Sequence, residues 1–244
     1  MIVERCRFRR LERGIQSTAG TGSGWVVRSN IFDSILDTAV AHQGPRSSGR
    51  IEHNTIYRSG KTGVHVESSN ETVRYNILHS NDVGIAAGAS GTVGARVSDN
   101  ALWQNRVQFL RIPNPGPRNS IADPRLVDAA AGDFSLRASS PFLDRAPAAA
   151  AAADVLGAPR LADGFDLGSP RTDYGAIERN PLGFGGRWPG GTRIELSLLG
   201  TSGRSAAILL GTREGIQRFG PSELLLDANS ILTVAGGTLP LRIG

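Results

Sequence analysis

Residues 58–67 carry four side chains that could bind an anion or transfer a proton. Cleavage of an acidic polysaccharide by β-elimination needs a cation that neutralises the uronate carboxylate and a base that removes the neighbouring proton. Lys61 and His65 belong to residue types that serve as general bases. Arg58 could hold the carboxylate, because its guanidinium presents a planar fork of donors. The pattern makes Lys61, His65 and Arg58 candidate catalytic residues, although solvated side chains on a surface turn would produce the same pattern.

Aromatic and polar side chains near this segment could contact a sugar chain. Tyr57 and Tyr75 offer aromatic faces, to which Trp103 adds a third, and Glu67 and His42 offer hydrogen bonds. We interpret the tyrosines, Glu67 and His42 as candidate substrate-binding residues along a groove. The sequence holds no diagnostic lyase signature and no aspartate pair of the polygalacturonase type, so it leaves catalysis open. An enzyme built on these residues would be a polysaccharide lyase or would resemble a glycoside hydrolase.

Acidic residues are concentrated between positions 123 and 178, where they could bind a metal ion. Their irregular spacing fits no EF-hand or nonapeptide calcium loop, and aspartate next to proline or glycine is common in turns. We therefore interpret them as turn residues and predict no metal ligand, with Ca²⁺ as the alternative. The single cysteine, Cys6, excludes an intrachain disulfide and a multi-cysteine metal site. The acidic residues are Asp123, Asp128, Asp133, Asp144, Asp163, Asp166, Asp173 and Glu178.

Five segments in the first half of the chain share one pattern, which predicts the elements that position the candidate residues. Each begins with Val or Ile and has a large apolar residue at its sixth position, and four of the five have asparagine at the fourth position, where the first segment has cysteine. A second apolar residue follows eight to ten residues after the fourth position and is often preceded by glycine. The second and fifth segments, with Ala39 and Phe109 there, fit this part of the pattern less well. The fourth positions, spaced by 24, 24, 22 and 24 residues, are Cys6, Asn30, Asn54, Asn76 and Asn100.

A stack of short parallel strands explains this period. Equivalent residues of successive rungs lie above one another, so the apolar positions form inward columns, and at least three rungs are needed to bury them. Asparagine tolerates the left-handed conformation of a tight turn, and stacked side-chain amides can form a ladder. We predict a structural ladder of Asn30, Asn54, Asn76 and Asn100, with Cys6 as a buried, inert thiol in the same column. The period excludes ankyrin and tetratricopeptide arrays, and the missing Leu-x-x-Leu-x-Leu spacing excludes a leucine-rich repeat.

The outward position after the first apolar residue of each segment alternates in charge. It is occupied by Glu4, Arg28, Glu52 and Arg74 in the first four segments and by Ser98 in the fifth. Opposite charges on neighbouring strands attract one another, so this alternation favours the predicted register.

The repeats over residues 3–112 resemble those of the pectate-lyase-like superfamily of parallel β-helix proteins. The chain continues with five motifs in an order that resembles the closing segment of secreted bacterial right-handed β-helix proteins, DPxFVD, GDYxL, SPxID, G.PR and D.GAxE. The resemblance implies an all-β, right-handed parallel β-helix, an extracellular or cell-surface location and a polysaccharide partner. The motifs lie at Asp123–Asp128, Gly132–Leu136, Ser140–Asp144, Gly157–Arg160 and Asp173–Glu178.

These patterns divide the chain into three regions. Residues 1–118 hold the β-helix repeats, with about five visible rungs, and residues 119–180 hold the closing segment. Residues 181–244 alternate short apolar runs with glycine-containing turns and predict a small antiparallel, sandwich-like β module. No signal peptide precedes the first repeat, and the last strand ends the sequence. We therefore expect an incomplete amino terminus and a truncated carboxyl-terminal module.

Composition narrows the range of functions. The formal net charge of +5 suits a polyanionic partner, but no recognition-helix, zinc-finger or RNA-binding aromatic pattern indicates nucleic acid. No apolar run reaches the length of a membrane span. We expect a monomeric extracellular protein that binds or processes an extended, acidic polysaccharide. The alternative is a non-catalytic surface or scaffold protein whose coil is a rigid spacer without a convergent site.

Overall fold

The computed structural model describes two compact units, residues 1–180 and residues 181–244, which are treated separately below. The described residues contain strands and turns and no α-helix, so the predicted all-β class is confirmed. A helix long and apolar enough to cross a bilayer is likewise absent from the described part of the chain. The structure describes side chains for residues 1–17, 24–42, 48–67, 70–88, 95–147, 153–158, 160 and 171–179, and in the second unit it describes the backbone of six strands.

Fifteen short strands wind into a parallel solenoid with three faces, each a five-stranded sheet. All neighbouring strands within these sheets run parallel, as the repeat predicts. One rung consists of three consecutive strands, so rung 1 is β1–β3 and rung 5 is β13–β15. The first sheet contains β1 (Ile2–Glu4), β4 (Trp25–Arg28), β7 (Gly49–Glu52), β10 (Thr72–Arg74) and β13 (Arg96–Val97). The second contains β2 (Arg7–Arg9), β5 (Ile31–Asp33), β8 (Thr55–Tyr57), β11 (Ile77–His79) and β14 (Ala101–Trp103). The third contains β3 (Ile15–Ser17), β6 (Thr38–His42), β9 (Thr62–Val66), β12 (Val83–Ala87) and β15 (Val107–Leu110).

The solenoid interior is filled by columns of apolar side chains, one residue from each rung. Val27, Ile51 and Val73 are fully buried in the first sheet, and Phe32 stacks on Phe8 in the second with ring centroids 4.8 Å apart. The predicted first and second columns are therefore confirmed by the register of the strands. In the third sheet the partner of Ile15 is Val40, so the assignment of Ala39 to that column is wrong by one residue.

The asparagines at the first turn form a continuous hydrogen-bonded ladder. Oδ1 of Asn54 accepts the backbone N–H of Asn30 at 3.0 Å and its Nδ2–H at 3.1 Å, and Nδ2 of Asn54 donates to Val27 O at 2.9 Å. The same contacts recur at Asn76 and Asn100 and extend to Asn119, whose side chain the repeat pattern did not include. A buried column of amides thus satisfies the backbone groups that the turns leave unpaired.

Two features of this turn differ from expectation. The left-handed conformation belongs to the residue before each asparagine, as at His53 (φ 54°) and Tyr75 (φ 57°), and not to the asparagine itself. Cys6 is exposed, because it lies in the first rung, where the structure describes no further rung to cover it. Its backbone N–H still donates to Asn30 Oδ1 at 2.9 Å, so the ladder begins there without a side-chain amide.

Glycine before the third-sheet strands has a packing reason. A Cβ atom on Gly63 would lie 2.8 Å from the carbonyl oxygen of Gly84 and 2.9 Å from Cδ2 of Leu78. In the next rung, a Cβ atom on Gly84 would likewise meet a backbone carbonyl oxygen and a leucine side chain. Glycine recurs at this position of the repeat because the backbone there passes close to the side chains of the second sheet.

The closing segment packs against the outer face of the second sheet. Its antiparallel hairpin, β16 (Leu126–Asp128) and β17 (Asp133–Leu136), places Phe134 against Tyr57, with ring centroids 5.5 Å apart. A second apolar core forms there, distinct from the one inside the solenoid. Its members from the closing segment are Leu126, Phe134, Leu136, Phe142, Leu143, Ala146, Tyr174, Ala176 and Ile177.

Residues 181–244 form antiparallel strand pairs, in agreement with the predicted small antiparallel β unit. The sandwich-like arrangement stays a prediction. The pairs are β18 (Leu182–Phe184) with β19 (Leu196–Leu198), β20 (Ser205–Gly211) with β23 (Ile231–Thr238), and β21 (Ile216–Phe219) with β22 (Ser222–Leu225).

Candidate functional site

A groove of about 220 Å³ lies on the outer face of the third sheet, whereas the described residues of the closing segment pack on the second sheet. Small side chains make this groove possible. The outward residues of successive strands are Gln16, Ala41, His65 and Ala86, so alanines stand on both sides of the imidazole. The groove is lined by Arg13, Ile15, Gln16, Asp37, Thr38, Ala41 and His65.

His65 is the side chain in the groove best suited to proton transfer. It lies on β9, is partly exposed, and places Nε2 3.2 Å from Oε1 of Glu67. A carboxylate in this position can orient the imidazole. The structure therefore brings two of the candidate residues together, with the imidazole open to solvent.

A row of charged residues stands on the turns that precede the third-sheet strands, and we call it the charged ridge; Arg13 and Asp37 of this row line the groove. Its members are Arg13, Asp37, Lys61, Asp82 and Arg106. Asp37 accepts hydrogen bonds from Lys61 at 3.2 Å and from Arg13 at 3.3 Å. Burial tends to raise the pKa of Asp37, but the hydrogen bonds from Lys61, Thr38 and Arg13 outweigh it and hold that pKa below its usual value. Asp37 is therefore an ionised carboxylate that fixes two cations at the edge of the groove.

Arg58 lies on the turn between the second and third sheets. Its guanidinium carbon is 4.8 Å from the ring centroid of Tyr57. Tyr57 is buried between His79 and Phe134, because the closing segment covers this face. The structure thus directs the guanidinium of Arg58 towards Tyr57 and leaves Tyr57 no open surface for a sugar.

His42 and Tyr75 also differ from the expected outward position. His42 points into the solenoid, where its Nδ1 lies 2.8 Å from Oε1 of Glu71 and its ring stacks on Trp25. Burial lowers the pKa of His42. Tyr75 packs against Tyr174 of the closing segment, with ring centroids 5.5 Å apart. Trp103 stays partly exposed at the edge of the second sheet.

A buried polar cluster, which the sequence did not reveal, fastens the closing segment to the solenoid. Arg160 is completely buried and donates from Nη2 to Gly175 O at 2.8 Å and from Nε to Ser29 Oγ at 3.2 Å. Nδ1 of His53 lies 3.0 Å from the carbonyl oxygen of Asp173. Single-copy residues more than a hundred positions apart meet here, so no periodic signal could have found them. In the sequence, the order of the closing motifs was the only indication that these residues belong to one structural unit.

Burial and crowding make it hard for the acids of this cluster to ionise. Burial, together with the charge of nearby Asp173, raises the pKa of Glu178 to about 9. Burial also raises the pKa of Asp173 to about 7. In the opposite direction, burial and the charge of Arg160 hold the pKa of His53 well below its ordinary value. The acids titrate as a coupled group, and the group retains a proton at neutral pH.

Three of these carboxyl groups could hold a metal ion. Asp144, Asp173 and Glu178 each offer an oxygen, and these oxygens lie within 4.8 Å of one another. The donor set suits a hard cation such as Ca²⁺, but Arg160 already contributes a positive charge to it. Asp123, Asp128 and Asp133 accept backbone N–H groups within their own turns, as a turn interpretation requires. Asp163 and Asp166 lie outside the described residues.

Comparison with known proteins addresses the fold of the solenoid. No curated protein and no solved structure matches the chain. Residues 1–102, however, match the family model described as a right handed beta helix region. This stretch includes the strands of the first four rungs and nearly all of β14. The parallel stacking of the three sheets and the family match together identify residues 1–102 as a right-handed β-helix region.

Proposed function

We propose that the groove on the third sheet binds an extended acidic polysaccharide outside the cell. The observation that carries the proposal is the groove itself, an open channel with cations along one edge and small residues on its floor. Because the strands are parallel and in register, the groove follows the solenoid axis and suits a linear polymer. Arg13 and Lys61 supply positive charge for its carboxylates, and His65 lies within the channel.

The pairing of His65 with Glu67 favours a second, catalytic candidate function, β-elimination. In this step His65 accepts the proton on the carbon beside the uronate carboxylate. The electron pair of that C–H bond forms the new double bond as the bond to the leaving glycosidic oxygen breaks, and that oxygen takes a proton from solvent. Lys61 would neutralise the charge that develops on the carboxylate.

Retention of the whole chain on columns that carry acidic or neutral polysaccharides tests the binding proposal. We expect retention on the acidic columns only, and a lower elution salt concentration for Lys61→Ala and Arg13→Ala. Arg96→Ala is the matched control, because it removes an exposed arginine from the first sheet and should leave elution unchanged. Equal loss of retention in all three variants would show that net charge, and not the groove, holds the polysaccharide.

Absorbance of unsaturated uronate tests the catalytic function in the same samples. A rise that His65→Ala abolishes while retention persists supports elimination. Retention without absorbance or new reducing ends limits the protein to binding. No retention on any column contradicts the proposal and favours a scaffold.

A further inference from the structure

The charged ridge alternates in sign along the solenoid axis. Asp37, Lys61, Asp82 and Arg106 each stand immediately before the third-sheet strand of their rung. In rung 1 the equivalent position, 24 residues before Asp37, is held by Arg13, whose side chain reaches Asp37. From rung 2 to rung 5 the sequence of charges is therefore negative, positive, negative, positive.

The cations of the ridge project further into solvent than the acids. The side chains of Lys61 and Arg106 are 70% and 69% exposed, whereas those of Asp37 and Asp82 are 17% and 36% exposed. A polyanion that approaches the ridge meets a cation at every second rung and a recessed carboxylate at the rung between.

We infer that the ligand of the groove is an acidic polysaccharide that carries its carboxylates on alternate sugars, an inference that rests on the proposed function. Strands in a sheet stand about 4.8 Å apart, close to the length by which one pyranose extends a polysaccharide. A chain along the solenoid axis thus presents about one sugar to each rung. Carboxylates on alternate sugars meet Lys61 and Arg106.

A carboxylate on every sugar is less favourable on the same ridge. The additional carboxylates would lie opposite Asp37 and Asp82, and like charges repel one another. The hydrogen bonds from Lys61 and Arg13 keep Asp37 ionised, so the repulsion persists at neutral pH. The ridge therefore selects for the spacing of the charges and not only for their number.

Isothermal titration of the whole chain with two sets of oligosaccharides of equal length tests this inference. One set alternates a uronate with a neutral N-acetylated sugar, as in hyaluronan, and the other is oligogalacturonate, with a carboxylate on every sugar. We expect the alternating set to bind more tightly by a factor on the order of five. Asp37→Asn and, independently, Asp82→Asn should narrow this ratio, because each removes one repelling charge. Thermal melts monitored by circular dichroism verify that each variant is folded.

The outcomes separate the two proposals. Equal or tighter binding of oligogalacturonate, with a ratio that neither variant changes, overturns the inference about spacing while the proposed function stands. Binding of neither set overturns both. Binding of either set that Lys61→Ala does not weaken places the polysaccharide on another face and also overturns both.

Discussion

Nη1 of Arg160 lies 3.5 Å from Oε2 of Glu178, and neither side chain is exposed to solvent. Glu178 Oε2 also accepts the backbone N–H of Asp173 at 3.1 Å. The guanidinium thus holds the last closing motif against the turns of the solenoid through the Glu178 carboxyl, the Gly175 carbonyl and the Ser29 hydroxyl. A buried charge is costly when it loses its partner, so this contact is sensitive to substitution.

Arg160→Met is expected to destabilise the first unit by about 3 kcal/mol or more, because it leaves the acids of the cluster without their cation. Urea unfolding followed by circular dichroism measures the change. Arg145→Met is the control, since Arg145 is an exposed arginine of the same segment, and a change within about 0.5 kcal/mol is expected there. Equal effects of the two substitutions would contradict a clamping role for Arg160.

Stability is expected to fall as the pH rises from 7 to 9, where the buried histidines are already neutral in the folded and the unfolded chain. The unfolded chain releases the protons of Glu178 and Asp173 near pH 4, whereas the folded chain holds them up to about pH 9 and about pH 7. Between these values the unfolded state binds fewer protons than the folded state, so the free energy of unfolding decreases with pH. Urea midpoints at several pH values measure the slope. Glu178→Gln should flatten it, and an unchanged slope would show that the cluster does not govern it.

Asn54→Ala is expected to cost about 3 kcal/mol or more, because several buried backbone and amide groups lose their partners at once. Asn54 Oδ1 accepts from Asn30, and Asn54 Nδ2 donates to Val27 and Glu52. Asn119→Ala, at the partly buried end of the ladder, should cost only about 1 kcal/mol. Guanidinium unfolding of both variants compares them, and similar losses would contradict a central role for the ladder.

Gly63→Ala is expected to destabilise the chain by about 1–3 kcal/mol through overpacking, since its Cβ has no room beside Gly84 and Leu78. Gly24→Ala is the matched control, because a Cβ there meets its nearest neighbour, Ser48 Oγ, at an ordinary 3.6 Å. Thermal melts of the two variants distinguish a packing effect from a general effect of removing glycine. A lower midpoint in both would contradict the packing explanation.

The solenoid could be predicted because each rung repeats the same physical requirement. The position that must be apolar recurs at Val27, Ile51 and Val73. The position that must hydrogen-bond to the next rung recurs at Asn30 and Asn54. The second ladder, in which Asn105 Oδ1 accepts from the backbone and side chain of Asn81, was missed. Only two rungs carry that asparagine, and Ser59 replaces it in the rung before.

The errors at the candidate site have two physical causes. Rung 2, like rung 3, holds one residue more than rung 1 between the ladder position and the third-sheet strand, so Val40 and not Ala39 pairs with Ile15. A shift of one residue moves a side chain to the other face of the strand, which is why His42 points inward. Tyr57 was expected to be open because nothing in the repeat reveals which face the closing segment covers.

The closing segment contacts three successive rungs, of which the first and the third do not touch one another. The carbonyl of Gly132 accepts from Arg7 in rung 1, Arg160 donates to Ser29 beside rung 2, and the N–H of Ala176 donates to Thr55 in rung 3. A solenoid whose rungs contact only their neighbours can fray from either end, one rung at a time. Here a pull on the first rung is shared along the side of the molecule, so we expect the β-helix to resist mechanical unzipping from that end.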